Sequence, residues 1–184
     1  MQDEEELVRR AKQGDQKAFT AIYEEYFDKI YRYIVLKIGN ETEAEDTTQQ
    51  VFLNALQSIS SYKWQGFPVS AWLYRIAHNQ VVDHLRKRAK KPATLNEELP
   101  IASDGRGGAD PQQVTELNFS IEQLMVATEK LTVAQREVIS LRFTSDLSTA
   151  EVAKIMGKSL GAVKALQHSA IVALRKTLVV ETNE

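Results

Sequence analysis

From Phe19 onward the apolar residues Phe19, Ile22, Tyr23, Tyr26, Ile30, Tyr33 and Ile34 recur at steps of three and four. That spacing lays one greasy stripe along a helix and cannot be satisfied by a strand, whose faces alternate every two residues. The same rhythm returns along most of the chain, and no long Val/Ile alternation with hairpin turns interrupts it. Thr42-Glu43-Ala44-Glu45 has capping-box form and predicts a second helix start. That helix is expected to bury Thr48, Phe52, Ala55, Leu56 and Ile59. A third helix is expected from near Ser70, through Trp72, Leu73, Ile76, Ala77, Val81 and Leu85. The fold class is therefore all-α.

Residues 92–115 break the rhythm. They hold three of the four prolines and three of the eight glycines. A stretch of this composition buries little and reads as a flexible linker. The predicted organisation is an N-terminal helical domain over 1–91, a linker over 92–115, and a second small helical domain over 116–184. The Gly-rich piece inside the linker follows no strand and lacks a Gly-Lys-Ser/Thr ending, so it is no phosphate loop. Helical spacing resumes with Leu117, Ile121, Leu124 and Met125.

Charge is distributed unevenly. The net charge is −2, yet segment 75–91 carries six Lys/Arg against one acid, and segment 131–178 carries seven against three. Two basic islands on a mildly acidic body suit two separate nucleic-acid contacts, because DNA senses a local face rather than a whole-chain average. Cysteine is absent, which removes disulfides and thiolate chemistry and suits a reducing, cytoplasmic setting. No apolar run reaches the ~20 residues of a membrane span. The acidic opening has no apolar core behind it, so no signal peptide is expected. Of the three histidines, His78 and His84 lie about 240° apart on a helix and cannot share a metal. No nucleophile motif or carboxylate pair stands out. Neither catalysis, nor a cofactor, nor a metal site is expected.

Residues 148–174 carry the most specific local signal. Ser148 has capping-box form with Glu151 and predicts a short helix bearing Val152, Ala153, Ile155 and Met156. Gly157 sits where a left-handed stop is needed, and Ser159 can cap the next helix. This is a helix-turn-helix, a device for placing its second helix in a major groove. At ~100° per residue, Val163, Leu166, Ala170 and Leu174 point inward. Gly161, Ala165, His168, Ser169 and Val172 point outward with Lys164 on the flank. Upstream, Arg75, Asn79, Val82 and Arg86 form another helical stripe, suited to a phosphate backbone. The preceding loop, with Lys63, Trp64 and Gln65, suits capture of an unstacked base.

Three blocks, in order, resemble extracytoplasmic-function (ECF) sigma factors of bacterial RNA polymerase. The run Ser70-Ala71-Trp72-Leu73-Tyr74-Arg75-Ile76-Ala77-His78-Asn79, continuing to Arg86, resembles the family's segment for melting and reading the −10 element. Ala44-Glu45-Asp46-Thr47-Thr48-Gln49-Gln50-Val51-Phe52 resembles the helix that grips the polymerase β′ clamp. Residues 131–178 resemble the −35-reading domain. The resemblance implies that Asp46, Gln49, Gln50 and Asn54 bind polymerase core. It implies that Lys63, Trp64, Gln65, Arg75, Asn79, Val82 and Arg86 read the −10 element. Lys164, Ala165, His168 and Ser169 would read the −35 element. It also implies partnership with the β and β′ subunits, with promoter DNA and with an anti-sigma protein. The chain departs from the family pattern at Thr47, usually aliphatic, and at Gln50, usually an acid. Leu166 and Ser169 stand where arginine is common. The rival reading is a one-component helix-turn-helix regulator that binds duplex operator DNA as a dimer.

The two promoter elements lie about 17 base pairs apart, roughly 58 Å at ~3.4 Å per step. A relaxed coil of the linker's length averages only about 27 Å, and full extension reaches about 79 Å. Away from polymerase the two domains are expected to lie closer together and to tumble semi-independently, unless an inhibitor clamps them.

Overall fold

The computed structural model describes residues 2–63, 68–90, 128, 130–145 and 147–181. The linker 92–115, the stretch around Leu117–Met125 and the loop residues Trp64 and Gln65 lie outside the described residues. Among the described residues the regular structure is entirely helical. Helix α1 spans Gln2–Lys12, α2 Gln16–Ile38 and α3 Glu41–Ser58, which ends in a 3-10 turn at Ile59–Ser61. Helix α4 spans Val69–Lys90, α5 Val133–Thr144, α6 Thr149–Ile155 and α7 Leu160–Glu181.

Local chemistry sets most of these boundaries. The Asp15 carboxylate accepts from the backbone of Lys17 at 3.0 Å and Ala18 at 3.2 Å, starting α2. Gly39, at φ 75°, ends α2 with its N–H on the Val35 carbonyl. A residue with a Cβ resists that left-handed turn. Helix α3 begins at Glu41, earlier than the Thr42 box predicts. Asn40 is the cap, its side chain accepting from the Glu43 N–H at 2.9 Å. The amide side chain is as good a cap as a hydroxyl and lies two residues upstream.

Helices α1–α4 enclose a core in which Ile22, Ile30, Tyr33, Ile34, Val51, Phe52, Ala55, Ile59, Leu73, Ala77 and Val81 are buried. Two expected core residues are not in it. Leu56 is 52% exposed, because it lies roughly 90° from the centre of the face made by Ala44, Thr48, Val51, Phe52, Ala55 and Ile59. Tyr23 is 37% exposed and sits at the rim, its ring 4.9 Å from those of Phe27 and Phe52. Thr47 is buried, and its hydroxyl donates to the Glu43 carbonyl at 2.6 Å. That bond satisfies the polar group which distinguishes it from an aliphatic residue.

The C-terminal helices pack directly onto this bundle, α5 on α2 and α6 on α4. Val138, Leu141, Leu147, Val152, Ala153, Ile155 and Val163 belong to the same apolar cluster as the N-terminal core. In this structure the two units are packed against each other. The physical reason is that α5 and α6 have too little apolar partner surface of their own and complete their core against α2 and α4.

Candidate polymerase and nucleic-acid interfaces

Three exposed surfaces and one buried junction carry the chemistry. On α3, Asp46, Gln49 and Gln50 are exposed and Asn54 is half-buried. The Gln50 amide donates to Asn54 Oδ1 at 2.9 Å, so the polar stripe is partly tied to itself. Leu53 and Leu56, each 52% exposed, border it. An apolar edge beside polar side chains is the composition of a protein-docking surface.

On α4, Arg75, Asn79, Val82 and Arg86 are all exposed. Arg86 pairs with Asp83 at 2.9 Å. Downstream, His84 Nε2 lies 3.2 Å and Arg88 3.8 Å from the Glu43 carboxylate of α3. Trp72 is half-buried, its ring 4.9 Å from that of Tyr62. Burial, with Glu4 nearby, pushes the Tyr62 hydroxyl up to about 12. Glu4 also accepts from the Tyr26 hydroxyl at 3.2 Å and the Val69 N–H at 3.1 Å, which ties α1 to the start of α4. Lys63 is exposed and borders a cleft of about 520 Å³, walled by Trp72 and Arg75 on one side and by Glu151, Lys154 and Ile155 of α6 on the other.

The helix-turn-helix has the predicted anatomy. Ser148 and Glu151 make both bonds of a capping box, as do Thr132 and Gln135 at the start of α5. Gly157 adopts φ 61°, and Ser159 accepts from the Ala162 N–H at 3.2 Å. Val163 and Ala170 are buried and Leu166 and Leu174 half-buried, while Lys164, Ala165, His168 and Ser169 are exposed. Leu166 therefore packs inward in this chain. At Gly161 an added Cβ would meet nothing within 4 Å, so the outer face is open where DNA would approach. Ser169 is less free than its exposure suggests. Its hydroxyl donates to the Leu166 carbonyl and accepts from the Gln135 amide, both at 3.0 Å.

Sequence reasoning missed the junction. Glu137 of α5 is 6% exposed and, among the described residues, the donors its carboxylate meets come from the N-terminal bundle. Its Oε1 accepts from the Tyr33 hydroxyl at 2.5 Å and lies 3.0 Å from His78 Nδ1. Its Oε2 lies 2.5 Å from Lys37 Nζ. An ionised carboxylate only accepts, so His78 Nδ1 carries the proton. Burial alone would push the Glu137 carboxyl up. The His78 bond, then Lys37 and Tyr33, overcome this and hold it at about 2. Burial, followed by the Glu137 charge, pushes the Tyr33 hydroxyl well above its ordinary range. Beside this cluster Tyr74 donates to the Thr144 carbonyl. The available signal was a charged residue placed on an apolar face: Glu137 beside Val138 and Leu141, and Lys37 inside the run Tyr33-Ile34-Val35-Leu36-Lys37-Ile38.

Comparison with known proteins agrees with this anatomy. Residues 22–91 match Sigma-70 region 2 and residues 127–176 match Sigma-70 region 4. The chain is 38% identical over 174 residues to the ECF RNA polymerase sigma factor BldN of Streptomyces coelicolor, covering 94% of this chain and 65% of that protein. It thus spans just under two thirds of BldN's length. It is 35% identical over 181 residues to the ECF RNA polymerase sigma factor SigW of Bacillus subtilis, covering 93% of this chain and 94% of that one. The fold is shared with CnrH in its complex with the cytosolic domain of CnrY, at 22% identity, TM-score 0.72, and 96% and 97% coverage of the two chains. It is shared also with the sigma factor RpoE bound to the anti-sigma factor NepR from Bartonella quintana, at 24% identity, TM-score 0.69, and 89% and 98% coverage. Two region matches in the order of the family, and a relative matched over almost its whole length, place the chain: it belongs to the extracytoplasmic-function sigma factors of RNA polymerase.

Proposed function

We propose that this sigma factor joins RNA polymerase core through the α3 surface of Asp46, Gln49, Gln50 and Asn54, and reads a promoter at two places. Lys63, Trp64, Gln65 and the stripe Arg75, Asn79, Val82, Arg86 engage the −10 element as the strands part. Lys164, Ala165, His168 and Ser169 face the −35 duplex. The observation that carries this reading is the pair of exposed, separately built stripes on α4 and α7, each on a capped or bundled helix whose opposite face is buried. Two readers on two helical units fit two DNA elements, with residues 92–115 as the connection.

Lys164 supplies a charge for a phosphate or a guanine edge, and His168 a ring nitrogen for a base edge. Ser169, already bonded to Gln135 and Leu166, contributes more to the placement of α7 than to readout. The factor acts in the cytoplasm, where polymerase works, and has no catalysis of its own. Complexes of CnrH with CnrY and of RpoE with NepR support an anti-sigma protein as a further partner.

The test is a promoter-binding assay with and without purified polymerase core. The sigma reading expects weak duplex binding alone and specific binding with core. Tight, core-independent binding of a palindrome by a dimer would replace it with the one-component regulator. Asp46→Lys should weaken core binding and leave helicity unchanged. Unaltered affinity for core would remove α3 from the interface.

A further inference from the structure

Among the described residues, Glu137 takes its side-chain hydrogen-bond donors from the other half of the molecule. Tyr33 and Lys37 come from α2 and His78 from α4, residues 104, 100 and 59 positions away in the chain. The Lys37 side chain is 3% exposed, so an ammonium is buried with this carboxylate as its counter-charge. We propose that Glu137 is the bolt of an intramolecular latch, seated in a socket of Tyr33, Lys37 and His78, which holds the two reading domains closed and keeps this sigma factor out of polymerase until it is released.

The inference rests on the two-element reading above and extends it to regulation. The closed arrangement is incompatible with that reading on two counts. The α6 residues Glu151, Lys154 and Ile155 share a cleft with Lys63, Trp72 and Arg75. The N-terminal end of the −10 stripe thereby shares its cleft with a carboxylate, Glu151, where nucleic-acid phosphate would run. The helix-turn-helix also lies against α4, whereas elements about 17 base pairs apart need the two readers roughly 58 Å apart.

A charged bolt suits such a device better than a greasy one. Separation rehydrates Glu137 and Lys37, which offsets the lost Coulomb attraction, so the pair closes specifically without closing irreversibly. The junction's neutral bonds, such as Tyr74 to the Thr144 carbonyl, set its register. Removing one charge strands the other, and reversing it sets two ammonium groups together. If the closed state dominates, the apparent affinity for core is reduced by the open fraction. A loosened latch therefore binds core more tightly.

The full chain contains no cysteine, so cysteines introduced at the exposed positions Glu24 and Lys176 take a fluorophore pair uniquely. Interdomain distance and core affinity are measured for wild type, Glu137→Gln, Glu137→Lys and the charge swap Lys37→Glu with Glu137→Lys, with circular dichroism to confirm folding. Wild type should show one short distance. Glu137→Lys should lengthen it and tighten core binding about tenfold or more, Glu137→Gln should lie between, and the swap should restore both values. A Glu137→Lys chain that stays folded with unchanged distance overturns the latch. So does one that opens without tighter core binding. If Glu137→Lys unfolds, the Gln variant and the swap decide by the same two readouts. Failure of wild type to bind core under any condition would instead count against the sigma reading itself.

Discussion

The two halves of the molecule complete their cores differently. The α1–α4 bundle supplies most of the shared core: Leu73, Tyr33, Ile22, Ile30 and Ile34 are fully buried, and Tyr33 also meets Glu137 of the C-terminal unit. The C-terminal unit has a small cluster of Leu131, Ile139 and Ala170, and lends Val138, Leu141 and Val152 to the core of its neighbour. A short helix-turn-helix has little apolar surface to fold around, so it gains stability by leaning on something. In this structure it leans on α2 and α4, and the lean brings a polar lock with it. In this structure region 2 is the platform on which region 4 is docked.

The largest effect should come from breaking the platform. Leu73→Ala leaves a cavity in the α2–α4 core and should cost about 2–5 kcal/mol in urea unfolding. The same experiment on the C-terminal cluster, Ile139→Ala, should lower the stability of that unit and leave the melting of α1–α4 nearly unchanged. If both substitutions shift one shared transition equally, the halves fold as one unit and the contrast disappears.

Acid should test the docking next. The Glu137 carboxyl, faced by Tyr33, Lys37 and His78, is held at about 2 in the closed form against an ordinary value of 4.5. A depressed carboxylate stabilises the closed form fully above the ordinary value, and that contribution is lost as pH falls through about 2. The stake is about 3 kcal/mol. Interdomain distance should lengthen as pH falls from 5 toward 2 while α1–α4 keep their helicity, and Glu137→Gln should remove most of that step. A titration that melts both halves together would deny the difference between them.

Base reading should divide along the same line at about 1–3 kcal/mol per contact. Lys164→Ala and His168→Ala should alter upstream base preference in a promoter-library selection. Asn79→Ala should impair strand opening, seen by permanganate reactivity of melted thymines. Crossed effects, with α7 substitutions changing −10 preference, would mean that the two regions do not read separately. The smallest effect is local. Ser148→Ala removes the α6 cap and should lower C-terminal stability by about 1 kcal/mol, measurable as earlier release of that unit on heating.

Much of this was legible because it is local chemistry. Ser148 with Glu151, Gly157 and Ser159 define the helix-turn-helix through bonds spanning three residues, and a sequence displays those directly. The inner and outer faces of α7 follow from a 100° step alone. The errors lie where more than one helix shares the decision. Leu56 and Tyr23 have the residue type for burial, yet Leu56 lies at the side of its helix's buried face and Tyr23 at the rim, beside Phe27 and Phe52. Asn40 took the cap that Thr42 seemed placed to take.

The sequence by itself determined the all-helical class, the helix-turn-helix caps, the family resemblance, and the inner and outer faces of α7. These depend on residues within a few turns of one another. Tertiary structure alone decided that Glu137 meets Tyr33, Lys37 and His78, and that α6 lines one cleft with Arg75. A charge on an apolar face signals that some partner exists. Its identity is set by how two separately folded surfaces dock, through contacts about 60 to 100 residues apart that no local rule encodes.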